Sequence, residues 1–160
     1  MVRILFVCLG NICRSPTAEA VMRGMVERAG LAAVIRVESA GTGDWHVGQS
    51  PDPRTLAAAK RRGIRMTSKA RQFRREDFGR YDYVLAMDDK NLADLRAMAP
   101  DGASGAKLRM FLSFDPASAP NASVPDPYHT TDGFDEVIDL CIAACGPLLE
   151  HIRTEHQLLR

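Results

Sequence analysis

The chain has 160 residues, of which 46% are hydrophobic and 26% charged, a composition that supports a buried core and excludes a low-complexity or disordered polymer. That length suits one hydrophobic core, so a single domain over residues 1–160 is expected. Lys+Arg total 21 and Asp+Glu total 20, a formal charge of +1, so no whole-molecule field gathers nucleic acid and any bound anion must be held by a local site. No apolar run approaches the ~20 residues of a membrane helix, and the stretch from Ile4 to Leu9 is short for a signal-peptide core. The four cysteines Cys8, Cys13, Cys141 and Cys145 are too few for a disulfide scaffold. The expectation is a cytoplasmic protein with reduced thiols and neither a membrane nor a nucleic-acid partner.

The apolar run Val2–Val7 reads as a strand buried on both faces. After a turn at Gly10-Asn11, Ser15 and Pro16 read as the cap and first position of a helix that carries Ala18, Val21, Met22, Met25, Val26 and Ala29 and stops at Gly30. Val34–Glu38 has strand composition, which makes a right-handed strand–helix–strand unit. Asp52-Pro53 starts a second helix that ends with Lys60-Arg61-Arg62 before Gly63. Tyr83–Met87 is a third strand, followed by Asp88 as the cap of a helix that runs towards Pro100. Leu108–Leu112 is a fourth strand. Pro116, Pro120, Pro125 and Pro127 make the stretch from Asp115 to Pro127 a long loop, a type that often carries function. A last helix places Val137, Ile138, Cys141, Ile142, Cys145, Leu148, Leu149 and Ile152 on one stripe, with a kink expected at Gly146-Pro147. This alternation implies an open parallel sheet with helices on both faces and a ligand site beyond the carboxyl ends of the strands, where Cys8 lies.

The segment from Cys8 to Pro16 joins the first strand to the first helix. Gly10 and Asn11 both tolerate left-handed backbone angles, so the loop can curl with its amides inward while the helix adds its free amides and positive end. Arg14 supplies a planar fork for two phosphoryl oxygens. These positive surroundings favour a thiolate, which makes Cys8 the expected nucleophile on phosphorus, with the amides and Arg14 stabilising the transition state. Asp126, in Asp126-Pro127-Tyr128, is the expected general acid for the departing oxygen and then base for water. Cys13 either forms a reversible disulfide with Cys8 or packs behind the loop. Cys141 and Cys145, one helical turn apart, read as core residues. His46, His129, His151 and His156 lack metal-ligand spacing, so no metal is expected. Between Arg54 and Arg80 stand ten Lys or Arg residues against Glu76 and Asp77, a solvated face or a docking face for acidic partners.

The segment Val7–Glu19, with Ser39-Ala40-Gly41-Thr42, Ala70-Arg71-Gln72, Asp82–Asp88 and Asp126-Pro127-Tyr128 in that order, resembles the low-molecular-weight protein tyrosine phosphatases over essentially the whole chain. The resemblance implies a four-stranded parallel sheet, hydrolysis of phosphotyrosine and small aryl phosphates with release of inorganic phosphate, and no cofactor or metal. It implies phosphotyrosine-containing proteins as partners. It also implies that Leu9, Gly10, Asn11, Ile12 and Cys13 bind the phosphoryl group, that Asn11 holds the loop through Ser39, that Ser15 supports the Cys8 thiolate, and that Trp45 and Tyr128 wall the aryl slot. Ile12 separates the chain from related arginine phosphatases, which carry threonine there. Two departures are visible: Thr67-Ser68-Lys69 stands where many relatives have a histidine, and His129 follows Tyr128 where some have a second tyrosine. An arsenate reductase would need further cysteines between Met87 and Gly105, and a non-catalytic phosphate binder would need neither Cys8 nor Asp126. The charge balance reveals no self-complementary patch, and a monomer or weak oligomer is expected.

Overall fold

A computed structural model describes residues 1–100, 107–130 and 132–158. Four strands, β1 (Val2–Cys8), β2 (Ile35–Gly41), β3 (Tyr83–Ala86) and β4 (Leu108–Met110), form one parallel sheet in the order β2-β1-β3-β4. The helices are α1 (Arg14–Arg28), α2 (Pro53–Arg61), a short α3 (Asp77–Arg80), α4 (Asp89–Met98) and α5 (Phe134–Glu155). Because β2 lies on one side of β1 and β3 on the other, the connections leave β1 and β3 in opposite directions. A crevice opens there at the carboxyl ends of the strands.

The alternation of β1 sorts the core into two layers. Ile4, Phe6 and Cys8 face α1 and α5, where Phe6 meets Phe111 edge-on at 5.1 Å between ring centroids. Leu5 and Val7 face the opposite layer with Phe73, Phe78, Leu95 and Met110. Phe6 and Phe111 are fully buried, so truncating either to alanine would cost about 3–5 kcal/mol.

Several boundaries differ from the sequence expectation, each for a packing reason. β2 continues to Gly41 because β1 keeps offering partners as far as Cys8, which pairs with Gly41. β4 stops at Met110, paired with Ala86 at the end of β3, and Phe111–Phe114 turn inward as a 3₁₀ helix whose first two side chains are buried. Ser15 is not the cap of α1. The helix starts two residues earlier, at Arg14, with Cys13 at the cap position and no side-chain cap bond, and Ser15 Oγ lies 3.0 Å from the sulfur of Cys8 instead. Only Asn11 of the Gly10-Asn11 pair is left-handed, with φ of 58°. Ile142 faces outward on α5 while its stripe partners are buried, and α5 passes through Pro147 without interruption. Asp52 and Asp88 cap α2 and α4 as expected, Asp88 in a reciprocal capping box with Asn91. Among the described residues no helix is long and apolar enough to cross a membrane.

Candidate active site

The loop after β1 wraps around the sulfur of Cys8. The Asn11 backbone N–H donates to Cys8 Sγ at 3.3 Å, and Ser15 Oγ lies 3.0 Å from it. Asn11 Nδ2 only donates, and it reaches Ser15 Oγ at 2.7 Å and Ser39 Oγ at 2.9 Å. Ser15 is therefore an acceptor towards Asn11, with the Cys8 sulfur at 3.0 Å and Ala40 O at 3.4 Å as its other neighbours. Asn11 Oδ1 accepts the Arg71 N–H at 3.0 Å. Every hydrogen-bonding group on the Asn11 amide is thus used, which holds this residue in its left-handed conformation.

The support extends behind the loop. Ser39, having accepted from Asn11, donates to Glu19, whose carboxylate also receives Arg23; Arg23 donates further to Val37 O at 3.0 Å. Ser68, at the position of the absent histidine, is not a partner of Asn11 or Ser39. Glu19 and Arg23 complete the network from α1. The adjacent strand comes so close that a Cβ on Gly41 would lie 2.7 Å from Leu9 O, so glycine is required under the loop. Thr42 N–H and Gly43 N–H then bind the carbonyls of Cys8 and Leu9.

Arg14 rises from the first turn of α1 with only 3% of its side chain exposed. Its Nη1 donates to Asp88 Oδ2 at 2.5 Å and to Val124 O at 3.1 Å, and its Nη2 lies 3.6 Å from Asp126 Oδ2. Burial opposes the charge on Arg14, but the Cys8 sulfur, Asp88 and Asp126 outweigh it and hold the guanidinium above its ordinary value. The fork is thereby aimed across the crevice by groups that follow β3 and by the proline-rich loop. Asp126 is exposed and accepts the Tyr128 N–H at 3.0 Å, an Asx turn that stiffens the Asp126-Pro127-Tyr128 segment.

Cys8, Leu9, Gly10, Ile12, Cys13, Arg14, Trp45, Asp126 and Tyr128 line one open cavity of about 320 Å³, together with His46 and His129. Trp45 is 66% exposed and its indole covers Gly43, where a Cβ would collide with the ring. Tyr128 is the second aromatic ring of the lining besides Trp45. Asn11, Ser15 and Ser39 lie outside the lining and act from behind it. Cys13 is buried with Ile12, Ala58 and Phe134, and burial pushes its thiol up to about 12. Cys141 and Cys145 lie in the α1–α5 core, also with raised thiols.

Sequence reasoning missed four contributors. Asp88 was legible only as a helix cap, yet one of its oxygens caps Asn91 while the other receives Arg14; its place just after a strand end in a parallel sheet was the available signal. Glu19 is 4% exposed and serves Ser39. His46 and His129 flank the Tyr128 ring, at 6.0 and 5.0 Å between centroids. Of the ten basic residues from Arg54 to Arg80, four, Arg54, Arg61, Arg62 and Arg71, are paired to Asp52, Asp135, Asp139 and Asp77.

Comparison with known proteins agrees with this geometry. The chain is 46% identical over 155 residues to the low molecular weight protein-tyrosine-phosphatase of Streptomyces coelicolor, covering 96% of this chain and 94% of that one. The crystal structure of a protein tyrosine phosphatase from Entamoeba histolytica superimposes with a TM-score of 0.90 at 38% identity, covering 99% of this chain and 100% of that one. A Drosophila arginine phosphatase superimposes with a TM-score of 0.87 at 31% identity, covering 96% of this chain and 98% of that one. The family model described as low molecular weight phosphotyrosine protein phosphatase matches residues 3–158, and this chain belongs to that family of protein phosphatases.

Proposed function

We propose that the enzyme removes phosphate from phosphotyrosine in proteins, and from small aryl phosphates, through a cysteinyl-phosphate. The observation that carries this reading is the Cys8 sulfur, which receives the Asn11 N–H and lies 3.0 Å from Ser15 Oγ, in a cavity that Asp126 and two aromatic side chains, Trp45 and Tyr128, also line. In this reading the sulfur attacks as the thiolate.

In the first step the Cys8 thiolate forms a bond to phosphorus as the bond from phosphorus to the aryl oxygen breaks, and Asp126 gives that oxygen its proton. In the second, the Asp126 carboxylate takes a proton from water, the water oxygen bonds to phosphorus, and the phosphorus–sulfur bond breaks to release inorganic phosphate and the thiolate. Amides of Leu9 to Cys13 and the Arg14 fork bind the equatorial oxygens throughout. Ser15 and Ser39 hold the cradle, Ile12 forms part of its wall, and Trp45 and Tyr128 bracket the aromatic ring. A cavity open at the top and reactive at its floor favours a phosphate carried on a long, flat stem over one on a serine side chain.

The test is phosphate release from matched phosphotyrosine, phosphoserine and phosphoarginine peptides by wild type and Cys8→Ser, in metal-free buffer with reductant. Release from phosphotyrosine alone, abolished by the substitution, is the expected result. Preference for phosphoarginine would keep the mechanism and overturn the reading of Ile12; no release from any peptide would overturn the proposed chemistry.

A further inference from the structure

Arg54 is the exposed residue that follows Pro53 at the start of α2, and its guanidinium makes more contacts than a surface cation ordinarily does. Its Nε and Nη2 donate to Asp52 Oδ1 and Oδ2 at 3.1 and 2.9 Å, a two-pronged pair that turns the group sideways out of the helix. Turned that way, Nη2 also donates to Tyr128 O at 2.9 Å and Nη1 to Thr130 O at 3.0 Å. The plane lies over two rings, 5.6 Å from the centroid of Tyr128 and 4.8 Å from that of Phe134, the first residue of α5. The hydrogen bond to Arg54 holds the Asp52 carboxyl below the usual carboxylate range, so the pair stays charged. At its other end, the Asp52 backbone N–H donates to Ile12 O at 2.9 Å, inside the loop that surrounds Cys8.

Arg54 therefore ties the two loops at a second point, besides the contacts of Arg14 with Val124 O and Asp126. On one side is the phosphate loop, reached through Asp52 and Ile12. On the other is the segment that carries Asp126, whose own Asx turn ends on the Tyr128 N–H. The carbonyl of that same Tyr128 is one of the two held by Arg54. We propose that Arg54 is a positioning residue for the general acid: it fixes the height of Asp126 above the Cys8 sulfur by clamping the carbonyls of Tyr128 and Thr130 to the start of α2. The inference rests on the role given to Asp126 above. Lysine cannot replace it in full, because a single ammonium lacks the flat fork that serves a carboxylate and two carbonyls while stacking on rings.

The readout is leaving-group dependence. A displaced acid penalises esters whose departing oxygen needs a proton and spares those whose oxygen leaves as a stable anion. Arg54→Met is expected to lower kcat/KM for phenyl phosphate and phosphotyrosine by about 10- to 100-fold, the scale of a 1 Å misplacement of a reacting group. For 4-nitrophenyl phosphate the loss should be no more than about threefold, less than one methylene's worth of pocket binding. Competitive inhibition by inorganic phosphate should stay within the same threefold, Arg54→Lys should recover only part of the loss, and Arg54→Met should cost nothing further in an Asp126→Asn background. Equal losses for all leaving groups, full additivity with Asp126→Asn, weakened phosphate inhibition, or no loss at all would each overturn the proposal. If Asp126→Asn itself shows no leaving-group dependence, the assignment of Asp126 fails rather than the clamp.

Discussion

The two halves of the candidate site are built in opposite ways. The loop around Cys8 is buried, and its key side chain, Asn11, has both amide protons and its oxygen engaged; the network runs back through Ser39 to Glu19 and Arg23 on α1. The loop with Asp126 is exposed and proline-rich, and is steadied by the Asx turn at Asp126, the Arg54 clamp, the Arg14 bond to Val124 O and the Val124 N–H bond to Met87 O. The contrast suits the two tasks of the proposed mechanism. An oxyanion cradle works because its donors need no rearrangement when charge develops. The proposed acid, which would meet both a departing aryl oxygen and an incoming water, stands exposed, where substrate and product can pass.

Breaking each half separately is the strongest test of that contrast. Asp126→Asn is expected to lower turnover of phosphotyrosine by about 10²–10⁴-fold, the range for loss of a general acid, with inhibition by inorganic phosphate nearly unchanged. Arg14→Ala should lower turnover by at least about 10²–10³-fold, the cost of one preorganised donor, and should weaken phosphate inhibition with it. Steady-state kinetics with phosphate as competitor separates the two outcomes. Parallel loss of phosphate binding in Asp126→Asn would mean that the acid loop is part of the cradle.

A smaller effect probes the rigid half alone. A Cβ on Gly41 meets the Leu9 carbonyl at 2.7 Å, so Gly41→Ala should cost about 1–3 kcal/mol of stability, as overpacking does. Because the displaced backbone belongs to the cradle, phosphate inhibition should weaken too. Chemical denaturation together with phosphate competition measures both, and a variant as stable as wild type would show that the loop yields more easily than its hydrogen bonds suggest.

The smallest expected effect concerns the buried thiols. Burial raises the thiols of Cys13, Cys141 and Cys145 above the ordinary 9.0. Above pH 9 the unfolded chain loses these protons while the native chain keeps them. The native state then binds more protons than the unfolded one, and stability falls as pH rises towards the native values, by up to about 1.4 kcal/mol per pH unit and thiol. Denaturation midpoints at pH 8 and pH 10 should show the decline, and Cys141→Ala should make it shallower. A slope unaffected by that substitution would assign the alkaline limb to other groups.

Much of the site was legible because its chemistry is local in sequence. Cys8, Asn11, Arg14 and Ser15 fall within one strand–loop–helix segment, and a glycine-containing turn before a helix start implies inward amides wherever it occurs. Asp126 was legible through its proline neighbour and its place in a loop too long to be only a connection. Asp88, Glu19 and Arg54 were not. Each looks locally like a helix cap, an ordinary acid on a polar face or an exposed cation in a basic run, and its second role depends on a partner distant in sequence: Arg14 lies 74 residues from Asp88, Ser39 lies 20 from Glu19, and Tyr128 lies 74 from Arg54.

By itself the sequence determined the class of fold, the parallel sense of its strands and which polar side chains the loop after β1 gathers, because hydrophobic period, caps and turn residues act over a few positions. Tertiary structure decided which side of β1 each later strand took, that β4 ended when β3 offered no further partner, and that Ser15 faced a sulfur rather than capping a helix. It also decided which carboxylate met Arg14 and which cation held the acid loop. Those outcomes depend on the distance and direction between groups brought together from separate elements, and pairwise hydrogen bonding at 3 Å is set by packing rather than by any pattern that a single segment carries.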